Sequence, residues 1–422
     1  MKNIKRLLVV VVILSMICSV MIFTSSCAKK EKKAIILIHG IMGGALYDAD
    51  SNEAVWALDS INSSEILSFL GTVPTMMTDM ALDENGVSVE NLRVANMTDE
   101  RGKYTMLSMF EPLYTSIQAE YGEDYDVKLW QYDWRLDNLQ SAAKLEQFIA
   151  ENDYDKVIFV THSMGGNVVS QYLANSEANK EKVELFIPIS TPFLGSAAAY
   201  YFILDGMFPN VGNLMTSIPT GTGREDFSSI YNNFSGMVDS LKPMFLEFGK
   251  NIPSVYMLSP FAEYSNDPEY ATGVTALQLN GVSQTHSEAA AYFSSLSIAK
   301  KADNTLKPGF ALYEDYQTGH MVLVDGVYKH ISNTVNTQYI ASHGVATLLS
   351  INVNSTNNSI IKSDDVNTTW GDGVVSTYSA TAGNSRDAAN VHIVEGSNHV
   401  SITTDEATLN AVTEILADFI KK

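Results

Sequence analysis

The sequence predicts an α/β fold in which a mostly parallel central sheet carries helices on both faces, with a cap inserted over one end. Two observations predict it. Short apolar runs recur through the first and last thirds of the 422-residue chain, separated by amphipathic helical patterns. Most of those runs lack polar alternation, as strands buried on both faces require. The second observation is local: Lys156-Val157-Ile158-Phe159-Val160 leads into Thr161-His162-Ser163-Met164-Gly165 and then a helical pattern through Val168, Val169, Tyr172 and Leu173. That is a strand, a sharp turn and a helix with a serine at the apex, the nucleophile-elbow pattern.

Core strands are expected at Ala34 to Ile38, Asp126 to Tyr132, Lys156 to Val160, Leu185 to Ile189, Val345 to Val353 and Asn390 to Val394. Asn138 to Ala150 puts Leu145, Phe148 and Ile149 on one helical face. A final helix is expected from Thr403, with Glu406 completing a capping box, burying Leu409, Val412, Leu416 and Phe419 and ending on Lys421 and Lys422. From about Ser196 to Ser342 the rhythm gives way to a stretch rich in glycine, asparagine, aromatics and methionine. The organisation that follows is a core in two parts, 34–195 and 343–422, interrupted by a cap at 196–342. The apolar run Tyr200 to Leu204 with Met207-Phe208 fits either the cap or an ordinary core helix.

The first 26 residues have the form of an export signal: Lys2, Lys5 and Arg6, an apolar stretch from Leu7 to Phe23, then Thr24-Ser25-Ser26 before Cys27. Cys27 is the expected lipidation site, with a charged tether to Lys33 that spans about 20 Å at full extension; an uncleaved signal anchor is the other reading. Both put the rest of the chain outside the cytoplasm, beside a membrane. With only Cys18 and Cys27 present, the domain can form no internal disulfide.

The formal net charge is −21, and losing Lys2, Lys5 and Arg6 with the signal takes it to −24. Such a balance excludes nucleic acid as an expected partner and gives no general attraction to anionic lipid. No His or carboxylate pair shows tight ligand spacing and no glycine-rich phosphate loop is present, so neither metal nor cofactor is expected.

The chemistry-bearing residues fall in the order Ser163, Asp372, His399. Ser163 is the expected nucleophile, His399 its base and Asp372 the group that holds the imidazole. His392 is a rival base, but it alternates with Val391 and Ile393 within an expected strand. Asp364 and Asp365 are rival acids, whereas Asp372 has the flanking glycines Gly371 and Gly373 that suit a tight loop. An oxyanion needs two donors. Met164, directly after the serine, supplies one backbone N–H, and the loop after the first strand, His39-Gly40-Ile41-Met42-Gly43-Gly44, supplies the other from Ile41 or, second, Met42. His39 and His162 are expected to serve structure rather than catalysis.

Together these pieces resemble the lecithin:cholesterol acyltransferase family of α/β hydrolases. The carriers are HGIMGG at 39–44, WALDSI at 56–61, LWQYDWRL at 129–136, THSMGG at 161–166, STPFLGS at 190–196, GDGVVS at 371–376 and SNHVSI at 397–402. YDWR is the most specific of them. The resemblance implies a Ser163, Asp372 and His399 triad, places Trp56 and Met42 near the acyl site, with simple core filling as the other reading of Trp56, and makes Tyr132, Asp133, Trp134 and Arg135 a structural cluster in which Asp133 pairs with Arg135. Thr161, where the family carries glycine, and Val374-Val375, where it carries Thr-Val, depart from the pattern. The implied function is an acyl hydrolase or O-acyltransferase acting on lipid esters through an acyl-enzyme, on the outer face of a bacterial membrane. A soluble-ester carboxylesterase or thioesterase, and a non-catalytic binding lipoprotein on the same scaffold, are the alternatives.

Overall fold

The structure, a computed structural model, describes residues 31–56, 66–95, 110–206, 240–269, 273–361 and 368–421. The expected export signal, Cys27, Met207-Phe208, Asp364, Asp365 and residues 57–61 of WALDSI lie outside them.

Six strands form the central sheet: β1 (Lys33–Ile38), β2 (Asp126–Trp130), β3 (Lys156–His162), β4 (Val183–Ile189), β5 (Tyr339–His343) and β6 (Val391–Glu395). Their order is β6-β5-β4-β3-β1-β2 and every pairing is parallel. Ala34 to Ile38 and Val157 to Val160 are wholly buried, which is why those runs carry no polar alternation.

Alternate residues of each strand feed different cores. Ile35, Leu37, Ile158, Val160 and Ile187 pack with helices α1 (Glu111–Tyr121) and α5 (Glu406–Ile420). Ile36, Ile38, Val157 and Phe159 pack with α2 (Asn138–Glu151) and α3 (Met164–Asn175), and through them with the segments between β4 and β5, which include α4 (Pro308–His320). The helix Ala197–Asp205 in that region buries Tyr200 and Ile203, so the described part of the 200–208 run is core-packed.

Three expectations are corrected. Val345 to Val353 is not a strand of the central sheet: Val345–Leu348 pairs antiparallel with Thr368–Gly371, and Ile351–Val353 pairs with Leu277–Leu279. The chain instead returns to the sheet at β5, a segment read as the tail of the insertion. The last helix is capped by Asp405, which accepts from the Ala407 N–H, while Thr403 ends a short 3-10 turn before it. Lys33, expected in the tether, opens β1 and pairs with Glu184 at 2.9 Å.

Candidate active site

β3 ends at His162, and Ser163 follows with φ 52° and ψ −131°, in left-handed backbone that a non-glycine residue adopts only when its surroundings hold it there. The holding is visible. The Ser163 N–H donates to Ile189 O at 3.0 Å, and the Gly166 N–H donates to Ser163 O at 3.0 Å. Helix α3 starts on the next residue and approaches the first strand closely. A Cβ on Gly165 would stand 2.5 Å from His39 O, and one on Gly166 would stand 2.1 Å from Thr191 Oγ1. Those two glycines take up the crowding of the elbow, which explains why buried Thr161 is tolerated where the family has glycine.

His399 follows β6 on a loop tied down at several backbone points. Gly396 N–H donates to His343 O at 2.7 Å, His399 N–H to Asp372 O at 2.9 Å, and the His162 ring Nε2–H to His399 O at 2.8 Å. Its ring lies between the other two groups, with Nδ1 2.7 Å from Asp372 Oδ2 and Nε2 2.9 Å from Ser163 Oγ. An ionised carboxylate only accepts, so Nδ1 carries the proton and Nε2 accepts from the serine hydroxyl.

Asp372 is buried, and its other oxygen, Oδ1, accepts from the Val374 and Val375 N–H groups at 2.9 and 2.7 Å. Burial by itself raises its pKa. The charge and hydrogen bond of His399, together with those two N–H groups, outweigh it and hold the carboxyl below its ordinary value. The backbone therefore does the buttressing, whatever side chains follow the acid. Gly371 is required there, because a Cβ would meet Val375 O at 2.2 Å, and Gly373 sits at φ 93°.

The loop His39 to Gly44 packs against the nucleophile from the other side. Gly40 faces Ser163 so closely that a Cβ would stand 2.7 Å from the serine Cβ and 3.1 Å from its Oγ. Gly43 and Gly44 fold over the His39 ring, each leaving 2.7 Å between a notional Cβ and that ring or its Cβ. His39 is structural. Its Nδ1 lies 2.7 Å from Gly40 O, its Nε2 accepts from the Tyr132 N–H at 3.3 Å, and it stacks on the Tyr132 ring. Burial pushes its pKa down to about 4, and that of His162 to about 3, so both are neutral at ordinary pH.

The YDWR residues support this loop from below. Tyr132 OH donates to His39 O at 3.1 Å, and the Trp134 Nε1–H donates to Gly44 O at 3.2 Å, so the loop is held at both ends. Arg135 is fully buried and grips Asp133 with two bonds of 2.9 and 2.7 Å from Nε and Nη2, while Nη1 reaches Met80 O and Nη2 also reaches Ser88 Oγ.

Trp56 is also buried. It rests edge-on against Trp134 and donates from Nε1 to Met42 O at 2.9 Å. In this conformation it braces the loop, a role that its position in the sequence did not signal. Met42 itself is half-buried with φ 62°. The rival base His392 is elsewhere, bonded to Gln338 on the sheet. Neither the His162 clamp on His399 nor the Thr347 hydroxyl that accepts from Gly373 N–H at 2.8 Å was foreseen. Both act on backbone groups, which leave no mark in a motif. Among the described residues, no three His, Cys, Asp or Glu gather into a metal-holding group.

A family model described as lecithin:cholesterol acyltransferase matches residues 87–245, a span that contains YDWR and the elbow. No curated protein matches the chain significantly. Among solved structures, that of the Tle4-Tli4 complex aligns over 93% of this chain and 99% of the other, at 14% identity and a TM-score of 0.56. The mature lipase BlEst2 of Bacillus licheniformis aligns over 93% and 94% at 13% identity with a TM-score of 0.31. Phospholipase PlaB from Legionella pneumophila aligns over 40% and 27% at 15% identity with a TM-score of 0.20. Those last two superpose too loosely to carry an argument, whereas the first supports the fold. The family match lies across the elbow and its supporting cluster, so over residues 87–245 the chain is similar to the lecithin:cholesterol acyltransferase family, and its fold is that of the α/β hydrolases.

Proposed function

We propose that the chain is a serine acyl hydrolase or O-acyltransferase that takes acyl groups from phospholipid or neutral-lipid esters by way of an acyl-enzyme. The observation that carries this reading is the unbroken line from Asp372 through His399 to Ser163, with both bonds under 3 Å and the acid ionised. Ser163 Oγ attacks the ester carbonyl as His399 Nε2 takes its proton, and Asp372 stabilises the imidazolium that results. The carbonyl oxygen becomes an anion between two backbone donors. Met164 N–H, at the first position of α3, has no partner within its helix, and the positive end of that helix adds to the field. Ile41 N–H follows Gly40, which already touches the serine. His399 then returns the proton to the leaving alkoxide, and water or an acceptor alcohol, activated by the same imidazole, releases the acyl group.

Trp56 and Met42 fit a place along the acyl path, since Met42 lies on the loop that borders the serine and Trp56 donates to its carbonyl. We place the enzyme on the outer face of a bacterial membrane, held by a lipid on Cys27, which agrees with a substrate that is itself membrane-bound. The test is hydrolysis across esters of rising acyl length, each presented below and above its aggregation threshold, with Ser163→Ala as control and a fluorophosphonate as label. A Ser163-dependent rate that jumps for long chains at the interface supports the proposal. Activity confined to short soluble esters refutes the lipid part of it, and absence of both turnover and labelling refutes catalysis.

A further inference from the structure

The chain carries 48 acidic residues against 27 basic ones, yet three lysines converge on one cavity of about 610 Å³. None of the residues lining it belongs to the elbow, the loop at 39–44 or the acid and histidine loops. Lys307 is the unusual member, with only 5% of its surface exposed. Lysines are rarely buried so far unless an acid pairs with them. Among the described residues no carboxylate forms an ion pair with Lys307, and the bond recorded for its ammonium is a long one of 3.3 Å to Lys250 O. An ammonium has three N–H donors to place.

The neighbouring charges leave that demand unmet. Glu247 is engaged by Lys250, and Glu84 accepts the Ala302 N–H at 2.8 Å. Lys300, on the same wall, has no side-chain partner among the described residues. Lys307 is also the N-cap residue of α4, a 13-residue helix with no side-chain cap, so the positive end of a helix dipole lies at the same place. Burial, reinforced by the charge of Lys250 and opposed by Glu247 and Glu84, brings the Lys307 pKa down to about 8. Two cations on the paired arms of one turn, where Lys300 bridges Leu306, and a helix N-terminus make a demand that a group with several anionic oxygens meets better than a single carboxylate. The cavity is roomy enough for more than the anion alone, within the roughly 300–1,000 Å³ typical of ligand sites.

We propose that this cavity is a second binding site, separate from the serine, for a phosphate ester held by Lys307 and Lys300. The ester is either a small soluble molecule or the headgroup of an anionic phospholipid. Calorimetric titration of the full chain in detergent with glycerol 1-phosphate and with inorganic phosphate, against acetate at matched ionic strength, tests it. Saturable binding of the phosphates is expected, weakened about tenfold or more in both Lys307→Met and Lys300→Gln. Affinity also falls between pH 7 and pH 9, as Lys307 loses its proton. Micelles doped with phosphatidylglycerol, set against phosphatidylcholine, separate the two sources: binding only to the former assigns a lipid headgroup, and binding of free glycerol 1-phosphate assigns a soluble ligand. Should Lys307→Met fail to fold, the half-buried Lys300→Gln decides alone. The proposal is overturned if no phosphate species binds saturably, or if the lysine variants bind as the native chain does.

Discussion

Gly40→Ala isolates the contact between the oxyanion loop and the nucleophile. Gly40 does not occupy left-handed backbone, so alanine brings no torsional strain, only a methyl group. That methyl would stand 2.7 Å from Ser163 Cβ, and relief to an ordinary contact of 3.4 Å requires a shift of about 0.7 Å. The elbow is the less able to yield, because Ser163 N–H is bonded to Ile189 O and Gly165 and Gly166 are pressed against the end of β1 and Thr191. The loop moves instead, and the Ile41 N–H moves with it. Loss of one oxyanion donor costs about a hundred- to a thousandfold in turnover, and a misplacement near 1 Å about a hundredfold. Turnover of a short p-nitrophenyl ester should therefore fall by about two orders of magnitude, with KM changed little, since the ground-state carbonyl needs the donor less than the anion does. The thermal midpoint, measured alongside, should drop by only a few degrees. A Gly40→Ala enzyme within threefold of the native rate would refute both the donor assignment and the claim that the loop is what gives way.

Other perturbations reach the remaining supports. Asp372→Asn keeps the shape but removes the acceptor that fixes the His399 tautomer, so kcat should fall about ten-thousandfold and fluorophosphonate labelling should slow in parallel; a loss below tenfold would remove Asp372 from the triad. Arg135→Met strands the buried Asp133 carboxylate, and denaturant titration should show about 3–5 kcal/mol of lost stability, with a loss under 1 kcal/mol contradicting the structural role of the pair. Acid should destabilise the fold early. His39, His162 and His320 are held neutral by burial with pKa values of about 4, 3 and 3, below an unfolded value near 6.5. Their contribution is whole above about pH 6.5 and is lost as the pH falls toward the folded values, at about 2 kcal/mol per histidine by pH 5. A urea midpoint that is the same at pH 7 and pH 5 would contradict it.

The parts of the site that the sequence displayed are those made by consecutive residues. A buried strand, a turn and a helix around Ser163 form one local pattern, and the glycines at 40, 165, 166, 371 and 373 mark places where backbone or neighbouring atoms leave no room for a Cβ or where φ is positive. Strand β5 is hidden in the sequence for a related reason. Its sequence, Tyr339-Ile340-Ala341-Ser342-His343, ends in two polar residues because that end serves the site. Ser342 Oγ donates to Ser397 O on the histidine loop, and His343 bonds the Thr377 hydroxyl, which itself reaches Ser342 O and Trp370 O. The longer apolar run at 345–353 looked more like a core strand, but its two halves pair in different small sheets. The cap of α5 is ambiguous at smaller scale: Thr403 and Asp405 both suit an N-cap, and the carboxylate that reaches Ala407 N–H starts the helix two residues later.

The same reasoning explains why YDWR is the most telling tetrapeptide although none of its side chains lies in the line from Asp372 to Ser163. An oxyanion donor stabilises the transition state only if it is already in place, since a loop that must reorder during the reaction gives back much of what it supplies. Residues 39–44 contain three glycines and would be loose by themselves. Tyr132 OH on His39 O, Trp134 Nε1 on Gly44 O and Trp56 Nε1 on Met42 O fix three of the six carbonyls, while His39 Nδ1 and the Gly43 N–H hold Gly40 O, the carbonyl that shares a peptide plane with the Ile41 N–H. Those two aromatic residues of YDWR need a rigid base of their own. Arg135, clamped to Asp133 and tied to Met80 O and Ser88 Oγ, provides it from within the core. Lysine at 135 would offer neither the two-pronged grip nor the reach to all three partners, so the tetrapeptide is constrained residue by residue by what it does for a backbone loop.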